Sequence, residues 1–167
     1  GAGSISSKNV GSGKAVNVSG LTLGNGTTGT PGAASNYTFT GGTQTFDVTQ
    51  RVLDSSGSRT YDATSSVSSG ILTLSNLIGS ETLTLSGSGT LSTAAAGANK
   101  SIGVGTLSLG NGSNGGLAAN YVLSGGSHFL TVSQKPINIT GTRVYDGTTA
   151  VLASNVTLNG LQGGESL

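Results

Sequence analysis

Leu72-Thr73-Leu74-Ser75-Asn76-Leu77-Ile78-Gly79-Ser80-Glu81-Thr82-Leu83-Thr84-Leu85 sets the reading of the whole chain. At both ends of this stretch leucine alternates with threonine. One face of an extended backbone is then apolar and the other hydroxylic, which is the pattern of a half-buried strand. The same period of two runs through Val16-Asn17-Val18, Ile102-Gly103-Val104, Leu107-Ser108-Leu109 and Ile137-Asn138-Ile139. No long segment combines helical periodicity with caps, and a glycine inside a helix costs up to about 1 kcal/mol relative to alanine. The expected fold class is all-β with no substantial helix, built from small sandwich-like units.

Turn signals divide these strands. Gly24-Asn25-Gly26 and Gly110-Asn111-Gly112 contain the Asn-Gly pair that tolerates positive φ, and they read as hairpin turns. Gly41-Gly42 and Gly125-Gly126 read as the turns of further hairpins, with Tyr37/Phe39 facing Phe46/Val48 and Tyr121/Leu123 facing Phe129 to Val132. About six to eight short strands per unit follow from this spacing.

The chain repeats itself. Arg143-Val144-Tyr145-Asp146-Gly147-Thr148 lies over Arg59-Thr60-Tyr61-Asp62-Ala63-Thr64 at a period of 84 residues, which also pairs Asn36-Tyr37 with Asn120-Tyr121 and Glu81 with Glu165. At an offset of 86, Leu21 to Gly26 lie over Leu107 to Gly112, and the extra two residues fall in the loop after Gly26. The frame divides the chain into 1–50 as the C-terminal part of a first repeat, 51–134 as a complete repeat and 135–167 as the N-terminal part of a third. A β-solenoid would show a sub-period of about 20 to 30 residues, and none is visible. The chain is expected to be a window from a longer array, with its two half-units completed by neighbouring sequence or neighbouring molecules.

Composition bounds the function. Nearly half the residues are Gly, Ser or Thr and only 8% are charged, while 34% are hydrophobic, which supports several thin cores rather than one deep one or a disordered chain. A net charge of +1, from scattered groups, supplies no basic surface for nucleic acid or membrane. Neither cysteine nor methionine is present, so disulfides and thiolate metal sites are excluded. No apolar run approaches the ~18 residues of a membrane helix, so no membrane span is expected.

At Lys135-Pro136, Arg143, Tyr145-Asp146-Gly147, Thr148-Thr149-Ala150, Leu161 and Gly163-Gly164-Glu165 the chain resembles the YDG domain, and Gly110-Asn111-Gly112, Asn120-Tyr121 and Gly125-Gly126 look like the second half of the same unit. The resemblance implies tandem repeats of a large secreted bacterial exoprotein of the filamentous-haemagglutinin-like kind, located at the cell surface. The central copy departs from the motif, with Ala63 at the place of Gly147 and Arg51-Val52 at the place of Lys135-Pro136. Ala63 implies that this position does not require positive φ.

The candidate site is the recurrent cluster Arg59, Tyr61, Asp62 and Glu81, with Arg143, Tyr145, Asp146, Gly147 and Glu165 in the next copy. Aspartates in a turn accept backbone N–H bonds, a tyrosine packs on a unit boundary, and an arginine pairs with Asp or Glu, so the cluster reads as a structural, inter-repeat device. A calcium site built on Asp54 or Asp62 is the metal alternative. The acids are too widely spaced for an EF-hand, and neither metal nor cofactor is expected. His128 is the only histidine, no Gly-x-Ser-x-Gly elbow is present, and the chain reads as no enzyme. Lys14 and Lys100 recur in strands, where an isopeptide crosslink to Asn is the rival of a solvated edge lysine.

The function expected is a structural or adhesive repeat of a bacterial extracellular surface protein or filament. Its partners are neighbouring repeats or identical subunits, and a host or matrix surface, with strand completion between units or molecules as the mode of assembly. The alternative is recognition of glycans or ice by threonine rows such as Thr38/Thr40 with Thr43/Thr45.

Overall fold

The computed structural model describes residues 1–167 as an all-β chain whose only helical pieces are four isolated 3-10 turns. Strands β1 (Ser4–Ile5), β2 (Gly11–Asn17) and β3 (Thr45–Val48) form an antiparallel sheet near the amino terminus. Ten strands follow: β4 (Arg51–Val52), β5 (Asp54–Thr60), β6 (Ser66–Ser68), β7 (Leu72–Ser75), β8 (Leu83–Ser86), β9 (Ser88–Leu91), β10 (Gly97–Gly103), β11 (Ser108–Asn111), β12 (Tyr121–Val122) and β13 (His128–Ser133). The antiparallel pair β14 (Asn138–Gly141) and β15 (Val156–Asn159) completes the chain.

Every ladder made by β4 to β13 closes among those ten strands. Six of them form one sheet in the order β6-β9-β10-β13-β5-β7, and the pairs β8–β11 and β4–β12 form two ribbons. Within the sheet, β13 lies parallel to β5, with Leu130 opposite Gly57 and Ser133 opposite Thr60. This pairing fixes the path of the chain. It enters at Arg51, beside Tyr121, and leaves at Ser133, where the Tyr61 amide donates to the Ser133 carbonyl at 2.9 Å. The two ends of the unit therefore lie at opposite poles along the strand direction, the amino pole at Arg51 and the carboxyl pole at Tyr61.

Alternation along β13 builds the interior. His128, Leu130 and Val132 face inward while Phe129 and Ser133 face out. Leu130 and Val132 meet Val67, Leu91 and Ile102 in one apolar cluster, and Leu53, Leu107, Tyr121 and Leu123 form a second. Leu72 packs against both clusters. The thin apolar content thus makes two small adjoining cores. Glycine is required where β5 meets the 3-10 turn at Ser69–Ile71: a Cβ on Gly57 would sit 2.2 Å from the Ile71 carbonyl oxygen. Its counterpart Gly141 would place a Cβ 2.0 Å from the Asn155 oxygen, so the same close approach recurs one period later.

Several local expectations are corrected. The complete unit has ten short strands rather than six to eight. Asn111 ends β11 opposite Leu83 instead of turning a hairpin, and its carboxamide oxygen accepts from the Ala118 amide at 2.8 Å. Asn25 does the same for Ala34 at 2.7 Å. The asparagine is thus used as a side-chain bridge to the next 3-10 turn and not for its tolerance of positive φ. Gly125-Gly126 does make a turn, with the Gly126 amide donating to the Leu123 oxygen at 3.0 Å, but no hairpin grows from it. Both edges of β13 are already taken by β10 and β5, so β12 pairs instead with β4, in parallel.

The motif glycine is also corrected. Gly147 has φ +74 and Ala63 has φ +61, so the position demands the left-handed region in both copies. A Cβ there strains against the following carbonyl by about 1–2 kcal/mol. Ala63→Gly is expected to stabilise the central unit by about 1 kcal/mol after the larger unfolded-state freedom of glycine is counted, measured as a raised midpoint in urea denaturation.

Candidate functional site

The recurrent charged cluster is a clamp on one loop, built twice. Asp62 Oδ1 accepts from the Thr64 amide at 3.0 Å and from its hydroxyl at 2.9 Å, and Asp146 holds Thr148 at the same two distances. Arg59 donates from Nη1 to the Ser66 carbonyl at 2.5 Å and from Nη2 to the Thr64 carbonyl. Arg143 repeats both bonds, to Ala150 at 2.5 Å and to Thr148. Each arginine also pairs with the aspartate of its own loop, at 3.4 Å for Arg59–Asp62 and 3.2 Å for Arg143–Asp146. The Thr64 and Thr148 amides hold the Asp62 and Asp146 carboxyls below the usual carboxylate range. Arg, Asp and Thr therefore satisfy groups of their own loop, and the left-handed residue between Asp and Thr closes it.

Tyrosine and glutamate work at the unit boundaries. At the carboxyl pole the Tyr61 hydroxyl donates to Glu165 Oε1, joining the central unit to the segment after Gln134. At the amino pole the Tyr121 hydroxyl donates to Glu81 Oε2 at 2.5 Å, while Lys8 donates to Glu81 Oε1 at 3.2 Å. Asn120 adds two bonds across that boundary, accepting from the Val10 amide at 2.9 Å and donating to Asn9 at 3.0 Å. Glu81 and Glu165, one period apart, thus each take a tyrosine hydroxyl at a unit boundary. Neither meets the clamp arginine. Tyr145 is 91% exposed and touches none of this machinery.

The electrostatics follow from these bonds. Its hydrogen bond to Glu165 raises the Tyr61 phenol, burial and then Glu81 raise Tyr121, and the Tyr121 hydroxyl lowers Glu81. Glu81, Asp62 and Asp146 bind protons more weakly when folded, so their contribution is present above about pH 4 and lost as pH falls through their folded values. Tyr61 and Tyr121 bind theirs more tightly when folded, so their contribution is present below about pH 10 and lost as pH rises further. Denaturation midpoints are expected to be level between about pH 6 and 9 and to fall on both sides, read by circular dichroism.

The other candidates resolve into local structure. Asp54 accepts from the Ser127 amide at 2.7 Å and from Asn76 at 2.6 Å, and no group of three His, Asp or Glu side chains converges anywhere in the chain. Lys100 donates to the carbonyls of Thr93 at 2.7 Å and Ala95 at 2.5 Å, with no asparagine or carboxylate bonded to it. Thr38 and Thr40 lie outside any strand, and the Thr40 amide bonds the Thr38 hydroxyl at 3.1 Å, so they form no flat row with Thr43 and Thr45. His128 is buried, with Nδ1 2.9 Å from Ser55 Oγ and Nε2 2.9 Å from the Leu123 oxygen. A carbonyl only accepts, so Nε2 carries the proton, and in the neutral ring Nδ1 accepts from the serine. Its counterpart Gln44 makes the same bond, Nε2 to the Phe39 oxygen at 3.0 Å, which identifies His128 as a brace of the turn.

The sequence did not mark Tyr121, Asn120, Lys8 or the Ser55–His128 pair as boundary or bracing residues. The recurrence of Asn36-Tyr37 and Asn120-Tyr121 is the available signal, and in sequence its tyrosines fit a hairpin core equally well. Two clefts open at the boundaries. One of about 750 Å³ lies among Tyr61, Ala95, Pro136, Ile137, Leu161 and Glu165. A smaller one of about 330 Å³ lies among Lys8, Val10, Arg51, Glu81 and Tyr121.

Fold and boundaries together define an all-β module whose ends lie at opposite poles and whose polar side chains brace its own loops and joints. Residues 48–128 match the family model of the YDG domain, and the chain carries a YDG domain there. Neither a curated protein nor a solved structure matches the chain. No helix is long and apolar enough to cross a membrane.

Proposed function

We propose that the chain is a spacer repeat of a bacterial extracellular surface protein, structural or adhesive in role, in which 84-residue units hand the chain from pole to pole. The observation that carries this reading is the parallel β5–β13 pair, because it separates the points where the chain enters and leaves the unit. A stack of such units grows along the strands, with the carboxyl-pole joint held by the Tyr61–Glu165 bond and the amino-pole joint by Lys8 with Glu81 and by Asn120 with Val10 and Asn9. The low share of charged residues, 8%, suits a solvated, unreactive stalk, and the secreted, tandem part of the reading rests on the resemblance to the YDG domain, whose family model matches residues 48–128.

A direct test inserts further copies of residues 51–134 after Gln50 in a chain displayed on a bacterial cell. A tag at the amino terminus is expected to move away from the cell surface by one constant step per inserted copy, read by gold labelling. A tag that stays in place as copies are added would sink the spacer reading.

A further inference from the structure

The central unit is made of two halves, and the rest of the chain presents one copy of each half. Residues 1–50 correspond to the second half of the unit and residues 135–167 to the first. Where the halves meet inside 51–134, the contact residues are sealed: Leu130 is 0% exposed, Tyr121 3% and Val67 0%. Their counterparts one period away are open, with Phe46 57%, Tyr37 67% and Val151 72% exposed. The positions that build the core of the unit stand bare at its two flanks.

The backbone edges match as well. β13 is flanked by β10 and β5, whereas its counterpart β3 pairs only with β2 and leaves the other edge free. β5 is flanked by β13 and β7, whereas its counterpart β14 pairs only with β15. The missing ladder is the parallel one between the halves. Shifted by one period, the register of Phe129 with Ser56 and Leu130 with Gly57 places Thr45 opposite Thr140 and Phe46 opposite Gly141.

We propose that residues 1–50 of one copy dock onto residues 135–167 of a second copy, forming the β3–β14 parallel ladder and a closed pair of cores like that of residues 51–134. The two surfaces cannot meet within one chain, because the first lies against the amino pole through Lys8 and Val10 and the second against the carboxyl pole through Glu165. The contact is therefore head to tail, and copies add without closing into a dimer. In a longer chain the neighbouring half occupies the same surface in cis, and association between copies proceeds by exchange of that half. The proposal concerns recognition between copies, and its failure leaves the spacer reading standing.

The test is a disulfide placed in the predicted ladder. Directly paired strands bring Cα atoms within the range a disulfide spans, and the chain has no cysteine of its own. Purified T45C/T140C is expected to give a ladder of linked multiples under mild oxidation, while either single variant stops at dimers. The unmodified chain is expected to sediment with a mass that rises with concentration above 16.2 kDa. Phe46→Asp is expected to abolish the ladder without changing the circular dichroism of the fold. A strict monomer at all concentrations, a double variant that links no further than the single ones, or a ladder that Phe46→Asp leaves intact would each overturn the docking.

Discussion

At dilutions where copies stay apart, Leu130→Ala is expected to cost the central unit about 3 kcal/mol, while Phe46→Ala, at the corresponding place in the first repeat, is expected to cost well under 1 kcal/mol. The contrast rests on burial alone. Leu130 is fully sealed against Val67, Leu91 and Ile102, so truncation removes its apolar contacts and leaves a cavity. Phe46 is 57% exposed, and its loss leaves little unfilled space. Only 13 of 167 residues are buried, so each core side chain carries a large share of the cohesion. A unit of this size has a total stability of about 4–12 kcal/mol, and losing 3 is a large fraction of it. Urea denaturation followed by circular dichroism reads both variants. Equal losses for the two would mean that the flanking half-sheet is packed in solution as tightly as the central one.

Much of this architecture was legible in the sequence, and the part that was not has a common cause. Period-two patterning at Leu72-Thr73-Leu74 and Leu83-Thr84-Leu85 became β7 and β8, because alternation is a local property of the backbone. The period of 84 residues led to the cluster at Arg59 and Asp62, whose bonds are also local. The hairpin expected across Gly125-Gly126 failed because it needed knowledge of a distant strand. β5, more than sixty residues upstream, takes the edge of β13 that a hairpin would have used. In sequence Tyr121 fits the same hairpin core. It does reach a core, but its hydroxyl emerges at Glu81, which no local pattern announces. Ala63 misled in the opposite way, since a residue that merely tolerates strain looks, in sequence, like one that needs no special conformation.

His128→Ala is expected to destabilise the central unit by about 3 kcal/mol, and His128→Gln by no more than about 1 kcal/mol. The ring lies in the buried row of β13 and bonds on both sides, to the Leu123 oxygen through Nε2 and to the Ser55 hydroxyl through Nδ1. Alanine leaves the buried Ser55 hydroxyl without its partner and removes one of the two bonds to the Leu123 carbonyl, which keeps the Gly126 amide, and an unsatisfied polar group in a dry site costs about 1–3 kcal/mol. The void adds to this. Glutamine has the groups needed, because its Nε2 donates and its Oε1 accepts. The chain already uses that substitution at Gln44, whose Nε2 reaches the Phe39 oxygen across the equivalent turn. A bracing role therefore predicts rescue by glutamine, whereas a role depending on the imidazole itself predicts that both variants fail alike. Denaturation midpoints of the two variants decide between them, and rescue would place the histidine with the clamp and joint residues as part of the repeat's own framework.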